Sequence, residues 1–320
     1  MRLSRRLYPQ ELLKLQAAAY AEAAPQPWPY GDEPSVTVAI VTLDRLALTR
    51  RCLASLFATR HEYPFELLIV DNGSSPEMVA YLREIEAQQP AVRVLFQPTN
   101  LGCGQARNLA FRVAQSDFVF SLDNDTLCHP GWLREAVACA VRWRGRVIAP
   151  FRLQMDGTLH AAGVELRRIH GDAPGALDQI KIERWFHDLS PDWLQTALGA
   201  GVLCTNFASG GLSLYDRSLF LELGGFFDGY KIGFEDMDFA LLLAQAGYSV
   251  YCAHRSQITH DDTWQAQTPI DARYAGERND MTVLRQSAAY FSERWGAEAF
   301  GEANAAAFAA RQTRQRGAFE

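Results

Sequence analysis

The pattern of apolar and polar positions changes twice along the chain. Residues 11–24 are rich in Ala and Leu and are predicted to form a helix, which the prolines between residues 25 and 34 end. From residue 36 to residue 150, short apolar runs alternate with segments of helical spacing. After residue 150 the regularity weakens, and residues 170–198 are expected to be rich in loops.

The alternating region predicts an α/β fold with a mostly parallel sheet. Strands are predicted at residues 36–42, 66–71, 92–96, 117–122 and 146–150, and helices at residues 46–57, 76–88, 104–114 and 132–143. Strands and helices that alternate in this order are joined by right-handed crossovers. Beyond this region we predict strands at residues 159–168 and 248–252, and helices at residues 216–223, 235–246 and from residue 271 onward.

Acidic side chains stand at the ends of two of these strands. Asp71 follows one apolar run, and Asp123 and Asp125, which one residue separates, follow another. The carboxyl edge of an open α/β sheet is where ligands bind, and paired carboxylates there suit a divalent cation with a nucleotide diphosphate. Asp71 is suited to accept hydrogen bonds from a base or ribose, although a turn-initiating Asp fits it equally well. For Asp123 and Asp125 the alternative is a polar turn with a helix cap.

A second group of polar residues lies in the last third of the chain. Glu235, Asp236 and Asp238 fall at the start of a predicted helix, and one of them is a candidate general base for an acceptor hydroxyl. The alternative is that they only cap the helix. His260 is a candidate metal ligand, with His254 as its competitor and an ordinary surface histidine as the alternative.

Composition narrows the class of protein. The chain has 320 residues, 48% of them hydrophobic, and a net charge of −6, which argues against a nucleic-acid partner. No apolar run is long enough to span a bilayer and no secretory signal is recognisable, so we expect a cytoplasmic protein with six reduced cysteines. Arg2, Arg5 and Arg6 allow a peripheral contact with the inner membrane face, and the terminal helices allow a homo-oligomer.

Several short segments, taken in order, resemble the inverting family 2 glycosyltransferases. The branch most like this chain holds bacterial rhamnosyl- and galactofuranosyltransferases, and the resemblance covers about residues 36–264. The segments that carry it are residues 38–45, 68–74, 100–108, 122–125, 208–211, 225–228, 234–238 and 256–260. Two departures are Asp44, where asparagine is more usual, and residues 170–200, which carry no family signature.

The resemblance implies the GT-A fold, in which a Rossmann-like nucleotide-binding sheet merges with a smaller acceptor-side subdomain. Residues 35–150 are then the nucleotide-sugar-binding part and residues 151–268 the acceptor-binding and catalytic part. Residues 1–34 form an N-terminal helix with a proline-rich linker, and residues 269–320 form a C-terminal helical tail.

It also implies a set of site residues. Those expected to bind the nucleotide sugar are Thr42, Asp44, Asp71, Asn100, Gly102, Arg107, Asp123 and Asn124. Asp123, Asp125 and His260 are expected to bind Mn²⁺ or Mg²⁺. Asp236 is the expected base, supported by Glu235, and Gly210 and Trp264 are expected on the acceptor side.

The function implied is a metal-dependent inverting glycosyltransferase. Its expected donor is a UDP- or dTDP-sugar, and its expected acceptor is a hydroxyl of a growing polysaccharide or a glycolipid. One alternative is a non-catalytic sugar-binding or scaffold protein on the same fold. Another is a sugar nucleotidyltransferase, which is disfavoured because residues 43–46, after the first strand, contain no glycine.

Overall fold

The structure is a computed structural model that describes residues 28–171, 176–261, 270, 276–277 and 280–299. The helix predicted at residues 11–24, much of the predicted C-terminal tail and Trp264 lie outside the described residues. Trp28 and Tyr30, from the predicted linker, pack against Phe118 at the start of a central strand. The end of the linker therefore contacts the core of the sheet.

The first half of the described chain alternates strands and helices. Its elements are β1 (Val36–Thr42), α1 (Leu46–Thr59), β2 (Glu66–Asp71), α2 (Pro76–Gln88), β3 (Val92–Phe96), α3 (Cys103–Val113), β4 (Phe118–Asp123), β5 (Thr126–Cys128), α4 (Trp132–Trp143) and β6 (Val147–Leu153), with a 3₁₀ turn at Arg60–Glu62. Strands β4, β1, β2 and β3 are neighbours in that order and parallel. The predicted α/β fold is therefore confirmed, and most element bounds agree to within two residues.

The second half extends the same sheet and adds a smaller one. Its elements are β7 (Leu159–Ala161), β8 (Val164–Ile169), β9 (Asp178–Arg184), α5 (Pro191–Leu198), β10 (Leu203–Thr205), β11 (Leu212–Asp216), α6 (Arg217–Glu222), α7 (Glu235–Gln245), β12 (Val250–His260), α8 (Met281–Trp295) and β13 (Ala297–Glu298). Beyond β4 the large sheet continues through β11, β6, β12 and β10. Strand β11 is antiparallel to both neighbours, so the sheet is mixed on this side.

Several segments differ from the sequence-based predictions. Residues 170–198 were expected to be rich in loops, but half of them or more belong to strand β9 or helix α5. Only Ile180 of β9 is buried, so the sequence of this strand lacks the repeated apolar positions that predict a strand. The strand predicted at residues 159–168 is divided at Gly163, which has a φ of 107°. Strand β12 runs on to His260, past an irregularity against β6 between Ala253 and Gln257, and so carries that histidine along the sheet.

Alternate side chains of β1 pack into two hydrophobic cores, which lie on opposite faces of the sheet. Val38 and Ile40 pack with the cluster that includes residues of α1, α2 and α4. Ala39 packs on the other face with residues of α3 and α7, including Phe111 and Phe239. Because helices cover both faces of the sheet, the sequences of the central strands are nearly continuous apolar runs. Polar residues follow only where each strand reaches the carboxyl edge of the sheet. Within the described residues, no helix has both the length and the apolar character needed to cross a membrane.

Asp238 joins α7 to α8. Its fully buried carboxylate accepts hydrogen bonds from Tyr230 Oη at 3.0 Å, Arg294 Nε at 2.8 Å and Trp295 Nε1 at 2.6 Å. Of the three acids near the start of α7, this one therefore has a structural role. It holds α8 against the helix that begins with Glu235 and Asp236.

We expect Asp238→Ala to lower the free energy of unfolding by about 3 kcal/mol, because it leaves buried donors and an arginine without their common acceptor. Urea denaturation followed by circular dichroism measures the change. Asp280→Ala is the control, since it removes only the cap of α8, where the carboxylate accepts from Thr282 N and Val283 N. That loss should be about 1 kcal/mol. Equal losses in the two variants would contradict the anchoring role of Asp238.

Candidate active site

A cleft of about 420 Å³ opens at the carboxyl ends of the parallel strands and the first turn of α7. Ten of the predicted site residues line it: Asn100, Gly102, Arg107, Asp123, Asn124, Asp125, Gly210, Glu235, Asp236 and His260. They come from distant parts of the chain, since β4, α3, α7 and β12 each contribute. Three predicted residues, Thr42, Asp44 and Asp71, are buried nearby and do not line the cleft.

Asp123, Asp125 and His260 form a cluster at one wall of the cleft. One ligand atom from each can be chosen so that all lie within 4.8 Å of one another. His260 Nε2 lies 3.4 Å from Asp125 Oδ1, and His260 Nδ1 is buried without a hydrogen-bond partner. Carboxylate oxygens with one imidazole make a donor set that fits a divalent cation.

The protonation of His260 depends on this cluster. Burial alone would lower the pKa of His260, but the hydrogen bond and the negative charge of Asp125, with the charge of Asp123, raise it above the ordinary value. The protonated imidazole is thus stabilised by the same carboxylates that suit a cation. Since a metal ligand must be neutral, protons and a cation compete for this cluster.

Two arginines fix the carboxylates in place. Arg45 Nη1 donates to Asp125 Oδ2 at 2.8 Å, and Arg107 Nη2 donates to Asp123 Oδ1 at 2.7 Å. Asp44 and Arg45 both adopt left-handed backbone conformations, with φ of 52° and 60°. This conformation is uncommon outside glycine, and it turns the chain after β1 so that the side chain of Arg45 reaches the cleft.

Arg107 also connects the carboxylate cluster to α7. Its Nη1 donates to Glu235 Oε1 at 2.8 Å, and Cys103 Sγ lies 3.1 Å from the same oxygen. Glu235 Oε2 is buried without a hydrogen-bond partner, although Glu235 lines the cleft. A buried carboxylate oxygen of this kind is suited to accept a hydrogen bond from a ligand hydroxyl.

Asp236 has a different environment from its neighbour. Burial, together with the charge of Glu235, raises the pKa of Asp236 to about 7, against the opposing charge of Arg107. Its Oδ1 accepts from the backbone N–H of Met237 at 2.9 Å. The two adjacent carboxyl groups thus have different surroundings: Glu235 pairs with Arg107, and Asp236 is able to take up a proton near neutral pH.

Amide side chains shape the floor of the cleft. Asn72 Nδ2 donates to Asn100 Oδ1 at 2.9 Å, and the same oxygen accepts from the backbone of Gly102 at 2.8 Å. Asn124 Nδ2 donates to Thr42 Oγ1 at 3.1 Å and to Thr49 Oγ1 at 2.9 Å. The structure therefore places Thr42 in a buried network that holds Asn124.

Asp71 and Asp44 lie at the same sheet edge with different surroundings. Asp71 is 1% exposed, its Oδ1 has no hydrogen-bond partner, and burial raises its pKa. Asp44 Oδ1 accepts from the backbone N–H of Ser75 at 2.7 Å, at the start of α2. The Ser75 side chain itself makes no capping hydrogen bond to that helix.

Gly211 leaves the space that the Asp123 carboxylate occupies. A Cβ at this position would overlap both the carboxyl carbon and the carboxylate oxygens of Asp123.

We therefore expect Gly211→Ala to weaken Mn²⁺ binding at least about tenfold, by displacing the Asp123 carboxylate. Titration followed by the electron paramagnetic resonance of unbound Mn²⁺ measures the affinity. Gly31→Ala is the control, because a Cβ there meets nothing within 4 Å; unchanged affinity in Gly211→Ala would contradict the expectation.

Sequence reasoning missed several residues that line the cleft. They are Arg45, Asn72, Cys103, Arg152, Ser209, Lys231 and Glu277. Arg45 could have been predicted as a site residue, since it directly follows Asp44 at the end of the first strand segment. Asn72 likewise follows Asp71. Arg152 had none, because the strand that carries it was predicted to end two residues earlier.

Comparison with curated proteins finds relatives in polysaccharide synthesis. The chain is 25% identical over 240 residues to the O-antigen biosynthesis protein RfbC of Myxococcus xanthus, covering 74% of this chain and 18% of that protein. It is 27% identical over 229 residues to the N-acetylglucosaminyl-diphospho-decaprenol L-rhamnosyltransferase of Mycobacterium tuberculosis, covering 66% and 71% respectively. The chain thus spans less than a third of several relatives, including 11% of the hyaluronan synthase of Pasteurella multocida.

Solved structures show the same fold. GalNAc-T7 with UDP, GalNAc and Mn²⁺ superposes with a TM-score of 0.59 at 18% identity, over 85% of this chain and 56% of that one. The mannosyltransferase PcManGT of Pyrobaculum calidifontis, in complex with GDP-Man and Mn²⁺, superposes with a TM-score of 0.52 at 18% identity, over 88% and 71%. At this identity the likeness concerns the fold alone, and it confirms the predicted GT-A architecture.

The family model described as Glycosyl transferase family 2 matches residues 37–224. This span holds the parallel strands β1 to β4 except Val36, together with Arg107 and the Asp123–Asp125 turn, and it is more than half of the chain. The resemblance inferred from the short motifs is therefore confirmed, and the chain belongs to glycosyl transferase family 2.

Proposed function

We propose that this protein is a metal-dependent, inverting glycosyltransferase that moves a sugar from a nucleotide diphosphate to an acceptor hydroxyl. The observation that carries the proposal is the common cleft, in which the Asp123, Asp125 and His260 cluster shares Arg107 with the acids at the start of α7. Family membership and the nucleotide-sugar ligands of GalNAc-T7 and PcManGT support it.

The donor lies with its nucleoside toward the end of β2. There Asn72 and Asn100 line the cleft and offer amide groups to a base and a ribose, and the buried Asp71 Oδ1 at the same strand end has no hydrogen-bond partner. We favour a UDP- or dTDP-sugar, with the diphosphate directed to the Asp123 side of the cleft. Arg45 and Arg107 add positive charge at that side.

Asp123, Asp125 and His260 hold the divalent cation, for which Mn²⁺ or Mg²⁺ has suitable ligand preferences. Once bound, this cation neutralises the charge that develops on the departing diphosphate. A hydrogen bond from Arg107 orients the Asp123 carboxylate. The lack of a side chain at Gly211 leaves room for that carboxylate.

Asp236 removes the proton from the acceptor hydroxyl. The hydroxyl oxygen forms a bond to the anomeric carbon on the face opposite the diphosphate, whose bond to that carbon breaks, so the product has inverted configuration. Glu235 has a positioning role: its charge helps to raise the pKa of Asp236, and its ion pair with Arg107 fixes its side chain beside that residue. A base with a pKa near the working pH transfers protons efficiently.

The acceptor, by this proposal, is a saccharide or glycolipid hydroxyl on the Gly210 side, where Asp236 and Gly210 both line the cleft. The relatives named for O-antigen biosynthesis and for rhamnosyl transfer support a role in polysaccharide or glycolipid assembly. We also propose contact with an inner membrane surface and association into homo-oligomers.

A nucleotide panel tests the proposal. UDP, dTDP and GDP are each added with and without Mn²⁺, and the unfolding temperature is recorded by thermal shift. We expect one nucleotide to stabilise the protein much more with Mn²⁺ than without it. The matching nucleotide sugar should then be hydrolysed slowly in the presence of Mn²⁺. Binding without any turnover would favour a non-catalytic sugar-binding protein, and no metal-dependent stabilisation by any nucleotide would overturn the proposal.

A further inference from the structure

A tight turn at residues 209–212, which we call the glycine turn, forms part of the cleft wall. The backbone N–H of Leu212 donates to Ser209 O at 3.2 Å and closes the turn, so that Gly210 and Gly211 occupy its two central positions. Ser209, Gly210 and Gly211 all line the cleft. Because its two central residues have no side chains, the turn presents its backbone to the cleft.

The glycine turn lies against both carboxylates on which the proposed function depends. A Cβ at Gly210 would lie 3.2 Å from Arg107 Nη1 and 3.5 Å from Asp236 Cβ. A Cβ at Gly211 would overlap the Asp123 carboxylate. Burial raises the pKa of Asp236, whereas a hydrogen bond from the backbone N–H of Gly210 lowers it. A displacement of the turn would therefore change the surroundings of the proposed base.

The side chain of Tyr215 fixes the position of the glycine turn. Its Oη donates at 3.0 Å to Ser209 O, the same carbonyl that closes the turn. Tyr215 is 1% exposed, and its ring packs edge-on against Phe111, Phe226 and Phe239. Burial raises the pKa of Tyr215, so the hydroxyl stays protonated and remains a donor. Because the ring is held in the core, its hydroxyl holds the turn at a defined place on the sheet.

We propose that Tyr215 is a positioning residue for the transfer reaction: its hydroxyl holds the glycine turn, and the turn holds the N–H of Gly210 against the Asp236 carboxylate. This inference rests on the proposed function and adds to it a residue from behind the cleft wall. A base acts efficiently only when it is held at the right distance from the proton, and an error of about 1 Å costs roughly 100-fold in rate.

Hydrogen exchange tests the position of the turn without knowledge of the donor sugar. Tyr215→Phe keeps the ring and removes only the hydroxyl. The matched control is Tyr63→Phe, which removes a hydroxyl that donates to Pro34 O at 2.6 Å. Exchange is followed by mass spectrometry of peptides that contain residues 209–212. We expect these amides to exchange about tenfold faster in Tyr215→Phe and at the wild-type rate in Tyr63→Phe. Unchanged exchange in both variants would overturn the inference.

Kinetics with the donor identified by the nucleotide panel tests the effect on the base. We expect Tyr215→Phe to lower kcat about tenfold and to leave the KM for the donor within about twofold of wild type. The acidic limb of kcat/KM should move to higher pH by about half a unit, because the carboxylate loses the N–H that stabilises its charged form. Tyr63→Phe should behave as wild type.

The pH readout separates positioning from a loss of stability. The described charged side chains around the Asp236 carboxylate are Glu235 on the same helix, Arg107 from α3 and Arg152 from β6. Tyr215→Phe changes none of them, so a moved acidic limb reports on the turn. A lower kcat with an unmoved limb would overturn the inference. A wild-type protein without turnover would instead contradict the proposed function, while the exchange experiment would still report on the turn.

Discussion

Replacing Asp236 by Asn is expected to lower kcat by about 10³-fold, because the amide cannot accept the proton of the acceptor hydroxyl. The affinity for UDP with Mn²⁺ should stay within a few fold of wild type, since none of the three predicted metal ligands is changed. Steady-state kinetics with the donor identified by the nucleotide panel gives the first quantity, and calorimetry gives the second. Asp192→Asn, an exposed acid in the first turn of α5, is the matched control.

The pH profile provides a second readout of the same residue. Burial and the charge of Glu235 raise the pKa of Asp236 to about 7, so its base form decreases as the pH falls through that value. Wild-type kcat/KM should therefore rise with pH up to about 7 and then level off, and the variant should lose this dependence. A variant with near wild-type turnover, or with an unchanged acidic limb, would remove Asp236 from the base role.

Asp123→Asn is expected to remove the effect of Mn²⁺ on nucleotide binding. At about 100 times its Kd, a ligand stabilises a protein by about 2.7 kcal/mol, which corresponds to roughly 4 °C in the unfolding temperature of a chain of 320 residues. The wild-type protein should show this added shift when Mn²⁺ accompanies the nucleotide, and EDTA should abolish it. In the variant the nucleotide shift should be the same with and without Mn²⁺.

Asp117→Asn is the control for this substitution. Asp117 immediately precedes the same strand at its opposite end, where its carboxylate accepts from Ser35 N and Ser35 Oγ at 2.8 Å each. Its replacement should change the unfolding temperature without changing the contribution of Mn²⁺. If Asp123→Asn retained the full metal-dependent shift, Asp123 would not be a ligand of the cation.

Much of the first half of the described chain was predictable because burial on both faces of a parallel sheet produces long apolar runs. The runs ending at Thr42, Asp71 and Asp123 mark the sheet edge directly, so local sequence located the first part of the site. Asp236 and His260 were assigned through family motifs, since no local pattern brings the start of α7 and the end of β12 to the same cleft.

The segment that contains β8 and β9 was less predictable for a physical reason. With β13, these strands form a small, largely exposed sheet, and in β8 and β9 polar residues outnumber buried apolar ones. Their pairing is decided by the few residues that contact the core, such as Leu166 and Ile180, rather than by a continuous pattern.

The structural role of Asp238 could not be predicted from the sequence either. Three acids near the start of one helix indicate a charged site, but they do not reveal which of them faces the cleft. Asp238 is directed to Arg294 and Trp295, more than fifty positions later in the chain, and so belongs to the packing of α8.

The proposed mechanism depends on one divalent cation that Asp123, Asp125 and His260 hold together beside the nucleotide diphosphate. Anomalous X-ray diffraction from crystals grown with Mn²⁺ and UDP locates that cation. We expect a single strong manganese peak within coordination distance of all three side chains and in contact with the diphosphate. Clear density for UDP with the manganese peak elsewhere, or with no peak near His260, would contradict it.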